Sequence, residues 1–162
     1  MPQNLQIHLV SRPKGEPLAE NFQALTLDTP ALQDNQVLVK HEYLSLDPYM
    51  RGRMNDVKSY TLPQALNSVM IGGTVGEVVE SRHSGFAAGD KVVGMGGWQT
   101  YSVVDANTPG ALRNIDTKHV PISHYLGAVG MPGVTAWHGL VRIIEPKAGQ
   151  TLTVSAASGA VG

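Results

Sequence analysis

The chain has 162 residues, 42% of them hydrophobic, and a formal net charge of −1 at pH 7. This composition predicts one well-buried globular domain, and the balanced charge without a basic run argues against binding to nucleic acid or an anionic membrane. The absence of cysteine excludes disulfides, thiol nucleophiles and cysteine-ligated metals. Because no apolar stretch has the length of a membrane span and residues 1–4 are unlike a signal peptide, we expect a cytoplasmic protein.

The first two thirds of the chain have the pattern of short strands separated by turns. Apolar alternation or apolar runs predict strands at residues 4–10, 36–46, 70–79, 91–95 and 98–104. Gly72, Gly73 and Gly76 interrupt the third strand, which indicates bulges or the bend of a barrel.

The last part of the chain has a different pattern. Pro132 suits the first position of a helix whose apolar residues recur at helical spacing until Pro146 ends it. An apolar strand is predicted at 150–156, and it runs into the glycine turn at 157–162. A strand and glycine turn of this kind begin a dinucleotide-binding unit, in which the pyrophosphate lies at the N-terminus of the next helix. The turn taken alone fits equally well a small-residue loop that closes an ordinary strand.

Three segments hold the residues of greatest chemical interest: Leu-Ser-Leu-Asp-Pro-Tyr-Met-Arg-Gly-Arg-Met at 44–54, Gly-Met-Pro-Gly-Val-Thr-Ala-Trp at 130–137 and Ala-Ala-Ser-Gly-Ala-Val-Gly at 156–162. In order and spacing they resemble the zinc-independent medium-chain dehydrogenase/reductase family. The resemblance is to its branch of leukotriene B4 dehydrogenase, prostaglandin reductase and NADPH-dependent curcumin reductase. It covers essentially the whole chain, which corresponds to the N-terminal half of a family member.

The resemblance implies a mainly β fold with a GroES-like, partly open barrel as the catalytic domain at 1–125. Residues 126–162 would then be the linking helix, first strand and glycine turn of an NADP-binding Rossmann domain that is cut off. It further implies NADPH as the cofactor and a small-molecule enone or enal as the substrate. The full-length protein would be a homodimer, and these residues alone would be inactive and bind NADPH poorly.

Tyr49 is the candidate catalytic residue. A phenol with a pKa near 10 stays protonated at neutral pH and can donate a hydrogen bond to a carbonyl oxygen. When hydride reaches the β-carbon of an enone, negative charge develops on that oxygen, and a donor aimed there lowers the barrier. The resemblance places Tyr49 where substrate and nicotinamide meet; the residues alone fit as well a half-buried tyrosine after a strand.

Two charged residues near Tyr49 in the sequence could hold it in position. Asp47 and Arg51 each lie two residues from it, so an extended segment would place all three side chains on one face, where the two charges could pair. We expect Arg51 to bind substrate or, with Asp47, to hold the loop that positions Tyr49. Arg53 is expected to be a solvated charge.

The cofactor site implied by the resemblance has two parts. Met131 and Thr135 are four residues apart at a helix entrance and therefore share one side of the first turn. A threonine hydroxyl there could bond the carboxamide or a ribose oxygen, and methionine could pack on the nicotinamide ring; a capping threonine and a core methionine are the other interpretation. The second part is the turn formed by Ser158, Gly159, Ala160, Val161 and Gly162.

No metal site is expected. The six histidines show neither close pairing nor a His-Glu-x-x-His helix. In the zinc alcohol dehydrogenases of the wider family, a His-Glu pair precedes a Gly-x-Val turn; alignment on Gly76 and Val78 puts Gly72 and Gly73 at those positions. Two other functions stay open: a zinc-free quinone oxidoreductase, and a non-catalytic GroES-like module for binding or assembly, against which the cofactor turn argues.

Overall fold

The computed structural model describes residues 2–59 and 61–162. Its strands are β1 (Gln3–Leu9), β2 (Phe22–Asp28), β3 (Gln36–Leu44), β4 (Ser68–Val69), β5 (Thr74–Ser81), β6 (Lys91–Gly94), β7 (Tyr101–Asp105) and β8 (Leu112–Asn114). Its helices are α1 (Tyr49–Arg53) and α2 (Met131–Trp137), and α2 continues as a π-helical segment (His138–Ile144). Short 3-10 turns lie at Ala19–Asn21 and Ile122–Leu126.

The strands form two antiparallel sheets that share one connecting segment. One sheet has the order β2-β1-β4 and the other β7-β3-β5-β6-β8. Residues 98–100 join them: the carbonyl of Trp98 accepts a hydrogen bond from Ile7 on β1, and the carbonyl of Thr100 accepts one from His41 on β3. The result is the mainly β, partly open barrel that the family resemblance implies, and that prediction is confirmed.

A bulge bends the second sheet at Gly76, as its glycines predicted. In the pairing of β3 with β5 the register shifts between His41 and Tyr43, so that Glu42 is the extra residue. A Cβ at Gly76 would lie 2.9 Å from the Cα of His41 and overlap the carbonyl oxygen of Lys40. Only glycine allows the two backbones to approach so closely, and the bulge bends the strand pair at this point.

Two clusters of buried apolar side chains hold the fold together. One lies within the five-stranded sheet and consists of Val37, Val39, Val78 and Val92, with Phe86, Ala106 and Leu112 packed against it. The other consists of Leu9, Met50, Met54 and Met70, and Tyr49, Phe22, Ile71 and Trp98 pack against it. The second cluster fixes α1 to β1, because the two methionines of α1 and its C-cap are almost completely buried.

The predicted strands near residues 4–10, 36–46, 70–79, 91–95 and 98–104 are confirmed, with bounds shifted by up to four residues. Three strands had no clear signal: β2 is largely exposed and alternates weakly, β4 has two residues, and β8 has three. The helix predicted from Pro132 to Ile144 is also confirmed, although its second half is π-helical.

The strand predicted at 150–156 is wrong. Residues 150–154 have no regular secondary structure, residues 155–156 lie in a turn, and Ala156 has a φ of +50°. A strand needs a neighbouring backbone to accept and donate its hydrogen bonds, and no described residue provides one here. Within 2–59 and 61–162, no helix is long and apolar enough to cross a membrane.

Candidate active site

The helix that carries Tyr49 is held in place by two arginines. Arg12 donates to the carbonyl oxygens of Met54 at 2.8 Å and Gln64 at 3.3 Å. From within α1, Arg51 donates to the carbonyl oxygen of Gly15 at 2.7 Å through Nη2 and 3.0 Å through Nε, and its Nη1 donates to Oδ1 of Asn55 at 2.7 Å. The loop after β1 and the helix α1 therefore support each other.

Gln64 fixes the chain that follows α1. It is 4% exposed, and its backbone amide donates to the carbonyl of Arg53 at 2.7 Å. Its side-chain amide donates to Oγ of Ser68 at 2.8 Å and to the carbonyl of Val69 at 3.1 Å, while its Oε1 accepts from the amide of Ile71 at 3.2 Å. These partners satisfy the hydrogen bonds of the buried side-chain amide. Gln64 therefore ties α1 to the edge strand β4.

The segment around Tyr49 is helical, so the expectation of an extended segment is wrong. Asp47 and Arg51 form no ion pair in the described part of the chain. Asp47 precedes α1, and the Arg51 guanidinium donates instead to the carbonyl oxygens of Pro13 and Gly15 and to Oδ1 of Asn55. Arg51 contacts the 13–15 loop and borders none of the cavities beside Tyr49. This geometry favours the supporting role over substrate binding.

We expect Arg51→Gln to lower the free energy of unfolding by about 1–2 kcal/mol, because hydrogen bonds from a charged group to carbonyl oxygens are lost at a partly exposed site. Urea unfolding of the chain, followed by circular dichroism, measures this. Lys118→Gln, an exposed substitution elsewhere, is the control. Equal midpoints for the two variants would show that Arg51 does not hold α1.

Tyr49 lies where two spaces in the molecule meet. The first, which we call the apolar cavity, has a volume of about 610 Å³ and is lined mainly by side chains of Tyr49, Val93, Met95, Leu126, Val129 and Val134. The second, the glycine-turn cleft, has a volume of about 870 Å³. Asp47, Tyr49, Met131 and Pro132 border both spaces. A group on one side can therefore meet a group on the other at Tyr49.

The glycine-turn cleft gathers nearly all residues of the expected cofactor site. Its lining includes Tyr49, Met131, Thr135, Gly159, Ala160, Val161 and Gly162; Ser158 is the one expected residue that does not line it. Met131 is 59% exposed, so it is not a core residue in this structure. The Thr135 hydroxyl donates to the carbonyl of Met131 at 2.8 Å, and its oxygen retains acceptor capacity.

The glycines of the Gly-Met-Pro-Gly motif bring α2 close to the preceding turn. A Cβ at Gly133 would lie 2.9 Å from the Cα of Ala128, and one at Gly130 would lie 2.9 Å from the carbonyl carbon of Tyr125. Any larger residue would push the helix outward. The close packing places Met131 at the border of the two spaces.

Arg53 is a site residue that our sequence analysis missed. It lies four residues after Tyr49, and both side chains border the apolar cavity and a smaller pocket of about 260 Å³ beside it. Its Nε is buried without a described partner and the residue is half-buried, so the side chain is less solvated than expected. The four-residue spacing would have indicated this if the segment had been taken as a helix.

No three His, Asp or Glu side chains gather within metal-binding distance in residues 2–59 and 61–162. Burial lowers the pKa of His41 to about 4. Its ring lies away from both spaces, with Nε2 at 2.9 Å from the Ser102 hydroxyl.

Comparison with known proteins places this geometry in a family. Residues 5–112 match the family described as the N-terminal domain of oxidoreductase. The chain is 47% identical over 154 residues to the NADPH-dependent curcumin reductase of Escherichia coli, a match that covers 95% of the chain and 44% of that protein. It is 47% identical over 129 residues to the NADP-dependent 2-alkenal reductase of Nicotiana tabacum, covering 79% of the chain and 37% of that protein.

A solved structure shows the same fold. The crystal structure of CurA from Vibrio vulnificus in complex with NADPH superimposes with a TM-score of 0.88 at 46% identity, over 98% of this chain and 46% of that one. The chain thus spans about half the length of the proteins it matches.

Proposed function

The chain belongs to the zinc-independent medium-chain dehydrogenase/reductase family, and from this membership we propose that it supplies the catalytic domain of an NADPH-dependent reductase. The reaction is reduction of the carbon–carbon double bond of α,β-unsaturated ketones and aldehydes. The observation that carries the proposal is Tyr49 at the border between the apolar cavity and the glycine-turn cleft.

The two spaces suit the two reactants. The apolar cavity has the size of a small-molecule site, since such pockets measure about 300–1,000 Å³ and are lined mainly by apolar side chains. The glycine-turn cleft suits NADPH, because its small residues let a ligand approach the backbone and a Cβ at Gly162 would overlap Ala156. When bound, NADPH supplies the hydride that reaches the β-carbon of the substrate.

The chain's own residues stabilise the charge that results. Tyr49 donates a hydrogen bond to the carbonyl oxygen, on which negative charge develops as the β-carbon is reduced. Arg53, on the same face of α1, adds positive charge to the cavity wall. Arg12, Arg51 and the buried methionines of α1 keep the phenol in position. A proton at the α-carbon, from water or from Tyr49, completes the product.

Met131 and Thr135 would hold the nicotinamide end of the cofactor. Met131 offers an exposed thioether that can pack on the ring, and the Thr135 oxygen can accept a hydrogen bond from the carboxamide. The turn at Ser158, Gly159, Ala160, Val161 and Gly162 would approach the pyrophosphate. We propose the division into 1–125 and 126–162 on the same basis. The cytoplasmic location is proposed from the sequence composition, and the homodimeric full-length protein from the family resemblance.

The proposal is tested with a completed enzyme, in which the chain is extended by the C-terminal half of the E. coli curcumin reductase. We expect it to oxidise NADPH in the presence of 2-alkenals and enones, with the saturated carbonyl compound as the product. Mass spectrometry identifies the product and absorbance follows NADPH. Turnover of quinones but not of enones, or reduction of the carbonyl instead of the double bond, would contradict the proposal.

A further inference from the structure

The apolar cavity contains a cation that the proposed reduction does not use. Most of its wall is apolar, and its charged residues among those described are Asp47, Arg53 and Arg113. Asp47 and Arg53 flank Tyr49 in sequence. Arg113 instead lies on β8, an edge strand of the five-stranded sheet. Arg113 is an exposed residue, so water can satisfy its five donors, and an anion that enters the cavity can take the place of that water.

Strand register points Arg113 into the cavity. β6 and β8 are antiparallel, and Val93 lies opposite Arg113 in the pair. The preceding residues, Val92 and Leu112, belong to the buried cluster on the other face of the sheet. Because side chains alternate along a strand, Val93 and Arg113 share the face that lines the cavity.

An aromatic ring holds the Arg113 guanidinium. Its central carbon lies 6.0 Å from the centre of the Tyr125 ring, and the Tyr125 hydroxyl donates to the carbonyl of Asp116 at 2.6 Å. The hydroxyl bond fixes the ring on which the guanidinium rests, so less motion is lost when Arg113 binds an anion.

Arg113 has no acidic partner in the described part of the chain. The ion pairs there join Arg12 to Asp56 and Lys91 to Glu42 and Glu77. The planar fork of a guanidinium matches the two oxygens of a carboxylate.

Arg113 does not belong to the border between the two spaces. The border with the glycine-turn cleft is formed by Asp47, Tyr49, Met131 and Pro132, whereas Arg113 and Gly110 line only the apolar cavity. A substrate whose double bond lies at Tyr49 would extend its tail along Val93 and Met95 toward Arg113.

We propose that Arg113, resting on Tyr125, is a specificity-determining residue that binds a carboxylate at the tail of the substrate. The inference rests on the proposed function and narrows its substrate class: enones and enals with an apolar chain that ends in a carboxylate. Because the carboxylate is remote from the reacting atoms, its binding should change KM. The value of kcat should depend on Tyr49 instead.

The test compares a 2-alkenal that carries a terminal carboxylate with its methyl ester, over a series of chain lengths, in the completed enzyme. We expect kcat/KM to favour the acid over the ester by about three- to tenfold at the length that spans the cavity, as for a partly exposed charge pair. Arg113→Gln should abolish this preference through KM, Arg113→Lys should retain part of it, and Arg113→Glu should invert it.

Arg142→Gln is the matched control, because Arg142 also rests on an aromatic ring, 5.4 Å from the centre of Trp137, but borders neither space. The acid-to-ester ratio should be the same in Arg142→Gln and in the unsubstituted enzyme. The ratio of kcat/KM for the acid to kcat/KM for the ester is measured within each variant. A smaller amount of folded enzyme lowers both values equally and leaves the ratio unchanged.

Calorimetric titration of the 162-residue chain with the acid and the ester gives a readout without turnover. Tighter binding of the acid that is lost in Arg113→Gln supports the inference, whether or not the completed enzyme reduces enones. Equal binding of acid and ester, or a preference that survives Arg113→Gln, overturns it. Absence of turnover with both compounds, with the binding preference intact, instead overturns the proposed function.

Discussion

Replacing Tyr49 with phenylalanine should lower kcat of the completed enzyme by about a hundredfold or more, the usual loss when one donor to a developing oxyanion is removed. The ring packs against the buried cluster around Met50 and Leu9, and phenylalanine retains that packing. Folding and cofactor affinity should therefore change little. Steady-state kinetics with several enones and a fluorescence titration with NADPH measure the two quantities separately.

Tyr125→Phe is the matched control for this prediction. Tyr125 lines the same apolar cavity, but its hydroxyl donates to the carbonyl of Asp116. Removal of that hydroxyl should leave kcat within about twofold, because it does not point at the reacting oxygen. Undiminished turnover of Tyr49→Phe across enones would exclude the phenol as the donor, and an equal loss in both variants would indicate damage to the cavity wall.

The position of Tyr49 could be predicted from the sequence only in part. The motif predicted the residue, but the extended conformation assumed for 47–51 was wrong. Pro48 was the available signal, since proline is favoured where a helix begins, and its φ of −55° fits that role. With a helix, Tyr49 and Arg53 share a face and Arg51 points elsewhere, which leaves Arg51 its supporting role and brings Arg53 to the cavity.

The remaining differences come from contacts between distant segments. The pattern at 150–156 is that of a strand, yet pairing depends on neighbours that no local pattern contains. The sequence predicted no function for Arg113. Its place on the cavity wall depends on the register of β6 with β8 and on Tyr125, twelve residues away along the chain. The burial of His41 likewise depends on segments about sixty residues further along.

His41 gives the fold a dependence on pH in a defined window. Its ring packs against Gly96, Nε2 lies 2.9 Å from the Ser102 hydroxyl, and Nδ1 is buried without a described partner. Burial disfavours the imidazolium and lowers the pKa from 6.5 to about 4. Between these values the unfolded chain binds a proton that the folded chain does not, so stability is present above pH 6.5 and is lost as the pH falls.

We expect the free energy of unfolding to fall by about 2 kcal/mol between pH 7 and 4.5 on account of His41, following from the two pKa values. Urea unfolding at closely spaced pH values measures the slope. The window ends at 4.5 because Glu77, whose pKa is lowered by its hydrogen bond and ion pair with Lys91, begins to contribute below it. His41→Gln removes the titrating group. The free energy of unfolding of this variant should therefore change little between pH 7 and 4.5.

The comparison is made against His119→Gln, an exposed histidine, which should keep the full slope of the unsubstituted chain. His41→Gln can be less stable overall, since the glutamine side chain fills the site differently. Only the change of its free energy of unfolding with pH tests the role of His41. The reason is that a packing defect shifts the free energy equally at every pH, whereas a buried base changes it only between its two pKa values. A slope that persists unchanged in His41→Gln would show that another group titrates in this window.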